Sequence, residues 1–308
     1  MQTIYFSSAR NRAVEKLDTI RKGAWVSLVA PTQADLTEFA AAFSLNPDLL
    51  GDAVDIYEAP RVEEDEGNVY IYTRYCHPEG KEVATEPLLI VYTKDNLLTI
   101  SRQNTPIYKR LLEQGKDILT TQKTKTMMLI LAEVNRSYRL HLNGVSKQIL
   151  RFRAELKKSD ISNREFINII ELEEDLNEFL AALQPEATAL ATLTKGKYVP
   201  LYEDDRDFIE DLQLDNAELI EFTKSRLMAL RNIRQVHDAI ATNNLNRTFK
   251  RLTSISIFLT VPTIMGGLWG MNVGVPLSEH PYAFYIVLCF TAILTTMTVI
   301  IFNAKKWF

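Results

Sequence analysis

The sequence predicts an α+β body, a long helical stalk and two C-terminal transmembrane helices, and three observations predict it. Two runs near the C-terminus carry no charge: Leu252 to Leu268, and the 21 residues from Tyr282 to Phe302. A helix needs about 20 apolar residues to cross a bilayer core, so both read as spans. Upstream, from about Tyr202, no Pro or Gly interrupts the chain until Pro262. A helix continuous from there to Gly270 has roughly 65 residues and a length of about 100 Å, too long for an ordinary globular domain. The first 120 residues instead mix β-rich runs with short helical ones.

Taken in order, residues 1–120 read as an α/β domain. Thr3–Phe6 and Ala24–Ala30 are β-rich, and Pro31-Thr32 opens a helix to about Phe43. A short helix covers Pro47 to Val54, and strands follow at Val69–Cys76, Val83–Thr93 and Leu97–Arg102. Lys94-Asp95-Asn96 is a hairpin turn between the last two, and Pro106 starts another helix. Such tight links predict an antiparallel or mixed sheet. Residues 121–201 read as long helices: Met127, Leu131, Val134, Tyr138 and Leu142 recur at three- and four-residue steps, as do Phe166, Ile169, Ile170, Leu176 and Phe179. Breaks are expected near Ser159–Ser162 and near Gly196–Pro200. The stalk helix occupies 202–250, the first span 251–272, the loop 273–281, the second span 282–303, and a basic tail 304–308.

Composition narrows the function classes. Net charge is −4 and 46% of residues are hydrophobic. That permits a sizeable core and gives no sign of a nucleic-acid partner. Cys76 and Cys289 fall in different regions and no Cys/His ligand spacing exists, so neither a disulfide framework nor a zinc site is expected. No nucleophile–base pair, phosphate loop or metal triad marks an enzyme. Residues 1–30 lack the apolar core of a cleaved leader. Arg247, Lys250 and Arg251 flank the first span, Lys305 and Lys306 the second, and the loop has no Lys or Arg. The positive-inside rule then places both termini in the cytoplasm of a cell whose plasma membrane the chain crosses twice. The stalk is polarised. Glu203, Asp204, Asp205, Asp207, Glu210, Asp211, Asp215, Glu218 and Glu221 come first, and Lys and Arg follow toward the membrane. Acid suits the helix start and base suits anionic headgroups.

Gly270-Met271-Asn272 sits where the first span ends and the loop begins, in a chain ending Lys305-Lys306-Trp307-Phe308. In this placement the chain resembles the CorA family of divalent-cation channels, whose order of body, long helices and two C-terminal spans it also shares. Most members have Tyr where this chain has Trp269. The resemblance implies a homopentameric, funnel-like channel for Mg²⁺, with Gly270, Met271 and Asn272 as selectivity motif and the first span lining the pore. It also implies Mg²⁺-binding carboxylates at cytoplasmic subunit interfaces that keep the channel shut. Asp211 matches the stalk position for this role, and Glu66 one acid of the partner pair. Gly67 stands at the other acid's position, with Asp65 a substitute; a solvated loop is the alternative for this acidic run.

The residues offer a check of their own. Two helices cannot enclose a polar path, so a pore needs several copies around an axis. Ser256, Thr260, Thr263, Gly267 and Gly270 recur at steps of 4, 3, 4 and 3, one helical stripe, which extends back through Thr253 or Leu252 to Phe249 and Asn246. Close helix packing is the alternative for such small residues. As a pore, hydroxyls and Asn272 amides would hydrogen-bond the water shell that Mg²⁺ gives up reluctantly. Phe249 and Leu252 would form apolar closing rings. The competing cargoes are Zn²⁺, Co²⁺ and Ni²⁺, and the competing class is a membrane-anchored coiled-coil scaffold.

Overall fold

A seven-stranded sheet organises the first part of the chain: β1 (Gln2–Phe6), β2 (Glu15–Leu17), β3 (Trp25–Val29), β4 (Arg61–Asp65), β5 (Asn68–Glu79), β6 (Glu82–Tyr92) and β7 (Leu97–Ser101). In this computed structural model, residues 1–79, 82–113, 118–156, 163–277 and 279–305 are described. They divide into two units, Met1–Arg234 and Gln235–Phe308. The strand order is β2-β1-β3-β7-β6-β5-β4. β3 pairs with β7 in parallel and every other pairing is antiparallel, so the sheet is mixed.

Alternation along the central strands sorts side chains onto two faces. Val69, Ile71, Leu88, Ile90 and Leu97 enter one core with Ile107, Met127, Val134, Tyr138, Leu176 and Phe179. Tyr70, Tyr72, Leu89, Val91, Leu98 and Ile100 enter a second core with Leu36, Phe39, Ala40 and Leu50. Covering both faces explains why the second half of β6, Pro87 to Tyr92, reads as an unbroken apolar run. The second core lies under α1 (Gln33–Phe43) and α2 (Pro47–Gly51). Thr32 caps α1 reciprocally with Asp35, as Pro31-Thr32 predicts. On the first face stand α3 (Pro106–Glu113), α4 (Lys123–Leu156), α5 (Asn163–Thr194) and the start of α6 (Glu203–Trp269). The α5–α6 break falls where Gly196–Pro200 predicts it. The break expected at Ser159–Ser162 lies outside the described residues.

Two strands escape the sequence pattern, β2 and β4, one at each edge of the sheet. Edge strands carry charge that discourages pairing with another chain, which erases the apolar alternation that reveals a strand. The acidic run therefore is not all loop: Glu63, Glu64 and Asp65 belong to β4, with Asp65 opposite Asn68. Glu66 and Gly67 form the turn with φ of 48° and 79°. Two successive positive φ values are what a two-residue hairpin turn requires. The second unit holds the end of α6 and α7 (Ala283–Ala304), each long and apolar enough to cross a membrane.

Glu186 on α5 is 4% exposed. Burial pushes its carboxyl up to about 7 from an ordinary 4.5. A raised folded-state value means that the folded chain holds the proton more tightly than the unfolded one. The group's contribution to stability is complete below about pH 4.5 and is lost as pH rises through about 7. Glu186→Gln, which cannot ionise, is expected to show a smaller fall in thermal midpoint than wild type as pH is raised across this window. Equal falls in both proteins would mean that Glu186 is not the titrating group.

Candidate functional site

Ser254 and Met265 are buried on α6, Phe258 and Val261 half-buried, and all four lie on one helical face. The Phe258 and Phe302 rings meet edge to face at 5.6 Å, which identifies α7 as the neighbour. On α7 the half-buried residues Ala283, Val287, Thr291, Leu294, Thr298 and Phe302 recur at matching steps. Ser256, Thr260, Thr263, Gly267 and Gly270 are all exposed. At about 100° per residue they fall on the side of α6 opposite the face packed against α7. Ile255 and Leu259, 52% and 66% exposed, lie beside that stripe, while Phe258 packs on α7.

Ser254 and the three hydroxyls of the stripe are engaged in the same way. Ser254 donates to Lys250 O at 2.8 Å, Ser256 to Leu252 O at 3.0 Å, Thr260 to Ser256 O at 2.8 Å and Thr263 to Leu259 O at 2.8 Å. On α7, Thr291, Thr295 and Thr298 donate to Val287 O, Thr291 O and Leu294 O. Back-bonding of this kind lets a hydroxyl sit in an apolar helix without an unsatisfied donor. It also spends the only proton each hydroxyl owns. What remains outward on the stripe is oxygen lone pairs, acceptors alone.

The helix closes at Trp269, and Gly270 N–H makes a final bond to Gly266 O at 3.0 Å. A Cβ at Gly270 would stand 3.1 Å from that same oxygen, so a side chain there crowds the helix end. Met271 and Asn272 follow as exposed residues beyond the last turn. Pro262 lies inside α6, where its missing N–H leaves the Phe258 carbonyl without its helical partner. The Trp269 indole N–H is buried and unpartnered.

A family model described as CorA-like Mg2+ transporter protein matches residues 21–306. The chain belongs to that family. It is 27% identical over 292 residues to the cobalt/magnesium transport protein CorA of Methanocaldococcus jannaschii, covering 92% of this chain and 90% of the relative. It is 23% identical over 309 residues to the magnesium transport protein CorA of Campylobacter jejuni, with the same coverage. Among solved structures, the complete CorA magnesium transporter from M. jannaschii superposes with a TM-score of 0.90 at 23% identity, over 100% of this chain and 99% of that one. Full-length CmaX gives 0.77 at 15% identity, over 99% and 97%. The family architecture is thus this chain's: an α/β N-terminal domain, a long helix and two C-terminal apolar helices.

The other expected residues are distributed as follows. Phe249 and Leu252, 56% and 60% exposed, continue the stripe backwards. Asn246 is exposed but drifts roughly a quarter turn off its centre. Asp211 is exposed on α6 and has no ion pair among the described residues. Its neighbours along the helix differ: Arg139 binds Asp215 at 3.1 Å and Glu218 at 3.2 Å, and Lys224 binds Glu221 at 2.8 Å. Asp65 is half-buried and Glu66 exposed. Within one chain, no group of three His, Cys, Asp or Glu side chains among the described residues could hold a metal ion. Sequence reasoning missed the α7-facing row and the uniform back-bonding. The row's only signal was the recurrence of Ser254, Phe258, Val261 and Met265.

Proposed function

We propose that the chain forms a homopentameric plasma-membrane channel through which Mg²⁺ enters the cell as a hydrated ion. The observation that carries this reading is the acceptor-only stripe on α6, opposite the face packed against α7. Waters bound to Mg²⁺ are polarised by the metal and act as strong donors, and Mg²⁺ keeps its waters tenaciously. A ring of Ser256, Thr260 and Thr263 oxygens offers acceptors to every such water without replacing it. Exposed Gly267 and Gly270 leave width for the shell. Asn272, just beyond the helix, presents an amide carbonyl at the mouth, and Phe249 and Leu252 supply apolar rings that close the path by dewetting. Both termini lie in the cytoplasm and residues 273–281 lie outside. Cobalt is a second cargo, supported by relatives whose names include it.

Regulation follows from charge. Asp211 is one of the exposed acids of α6 that have no ion pair among the described residues, so in a symmetric oligomer it is free to share a cation with Asp65 or Glu66 of a neighbouring copy. Carboxylates brought together across an interface repel, and Mg²⁺ relieves that repulsion and holds the closed form.

Two outcomes test this reading. In liposomes, Asn272→Ala and Gly270→Ala are expected to lower Mg²⁺ uptake at least about tenfold while the purified oligomer keeps its size; the first loses its amide, the second meets Gly266 O. Near-normal flux in both would remove the motif from the mechanism. Millimolar-range Mg²⁺ is expected to slow proteolysis of wild type, because a ligand bound only to the packed state protects it. Asp211→Ala should weaken that protection. Equal digestion with Mg²⁺ and with chelator, in both proteins, would make Asp211 an ordinary solvated acid.

A further inference from the structure

Arg247, Lys250 and Arg251 precede the first apolar run, and their helical phase is specific. Together with Ser254, Phe258, Val261 and Met265 they recur at three- and four-residue steps, so all seven share the face of α6 that packs against α7. None of the three cations points along the stripe of Ser256, Thr260 and Thr263. The Phe258–Phe302 contact fixes the level of the two antiparallel helices. Three residues past Phe302, Lys305 follows the end of α7, and Lys250 and Arg251 lie about one helical turn beyond that level. All four side chains are exposed and have no ion pair among the described residues. The sequence has no Asp or Glu between Asp238 and Glu279 to neutralise them.

We propose that Arg247, Lys250, Arg251 and Lys305 form a docking site for the phosphate headgroup of an anionic phospholipid of the cytoplasmic leaflet. The proposal rests on the reading that α6 and α7 span a membrane. The cluster stands where both helices leave their apolar runs, the depth at which lipid phosphates lie. A second copy of the chain is a poor occupant, because it presents the same positive charge at the same level. A phosphate seated here offsets part of the positive charge that would otherwise repel the transported ion. It also ties the cytoplasmic end of α7 to the helix bearing the polar stripe.

The test uses the full chain reconstituted in phosphatidylcholine liposomes containing spin-labelled phosphatidylglycerol or spin-labelled phosphatidylcholine. The motionally restricted fraction of each label gives their relative affinity. Wild type is expected to prefer phosphatidylglycerol, and the preference is expected to fall about fivefold for each cation removed, leaving only the part due to Lys305 in R247Q/K250Q/R251Q. The charge-keeping variant R247K/K250R/R251K should retain it, and about 1 M salt should abolish it. Arg231→Gln, in the first unit, should leave it unchanged. No preference in wild type, or an undiminished preference in the triple Gln variant, overturns the site. A chain that fails to float with pure phosphatidylcholine liposomes overturns the spanning reading instead, so the two failures are separable.

Discussion

Hydrocarbon cannot hydrogen-bond, so any helix crossing a bilayer must satisfy its own backbone and its own hydroxyls. In α6 and α7 the hydroxyls meet this residue by residue: each Ser and Thr on the α7-facing row and the polar stripe returns its proton to the carbonyl four residues back. The consequence differs by face. On the α7-facing row the hydroxyls become nearly inert and let Ser254 sit at 0% exposure between two helices. On the opposite face the same bond leaves Ser256, Thr260 and Thr263 with acceptors and no donor. A hydration shell around a cation offers donors and no acceptor. The proposed path for hydrated metal rests on the match between the two.

The first unit meets a different constraint. A mixed sheet with helices over both faces must protect its two outer strands, and β2 and β4 do so with charge. The β4–β5 hairpin then carries Asp65 to the end of a strand and Glu66 into a tight positive-φ turn, both at the sheet's edge. On α6, Arg139 and Lys224 take up Asp215, Glu218 and Glu221, while Asp211 is among the exposed acids that have no ion pair among the described residues.

Much of this was legible because the signals are long or sharply placed. The uncharged runs, the Pro-free and Gly-free stretch before Pro262, and the position of Gly270-Met271-Asn272 each survive a misjudged boundary of a few residues. The helix stops at Trp269, earlier than the motif suggested, because Gly270 N–H makes the last bond back to Gly266 O. β2 and β4 were hidden because an edge strand lacks the alternation that reveals an interior one. Apolar residues such as Ile255 and Leu259 stand on several sides of α6, and the packing of Phe258 on Phe302 shows which face meets α7. The back-bonding of the hydroxyls could not be read at all, since Ser and Thr have the same letters whether their proton points inward or out.

The central claim is that the face of α6 opposite α7 borders water. Single cysteines along 256–268, in a background lacking Cys76 and Cys289, would be exposed to a membrane-impermeant thiol reagent added outside intact cells, with Glu279→Cys as the control for an external loop. Labelling is predicted at Glu279→Cys and, within the helix, at Thr260, Thr263 and Gly267, with Val261 and Met265 silent. Labelling centred on Val261 and Met265, or a labelled Glu279→Cys with every helical position silent in the open channel, would contradict it.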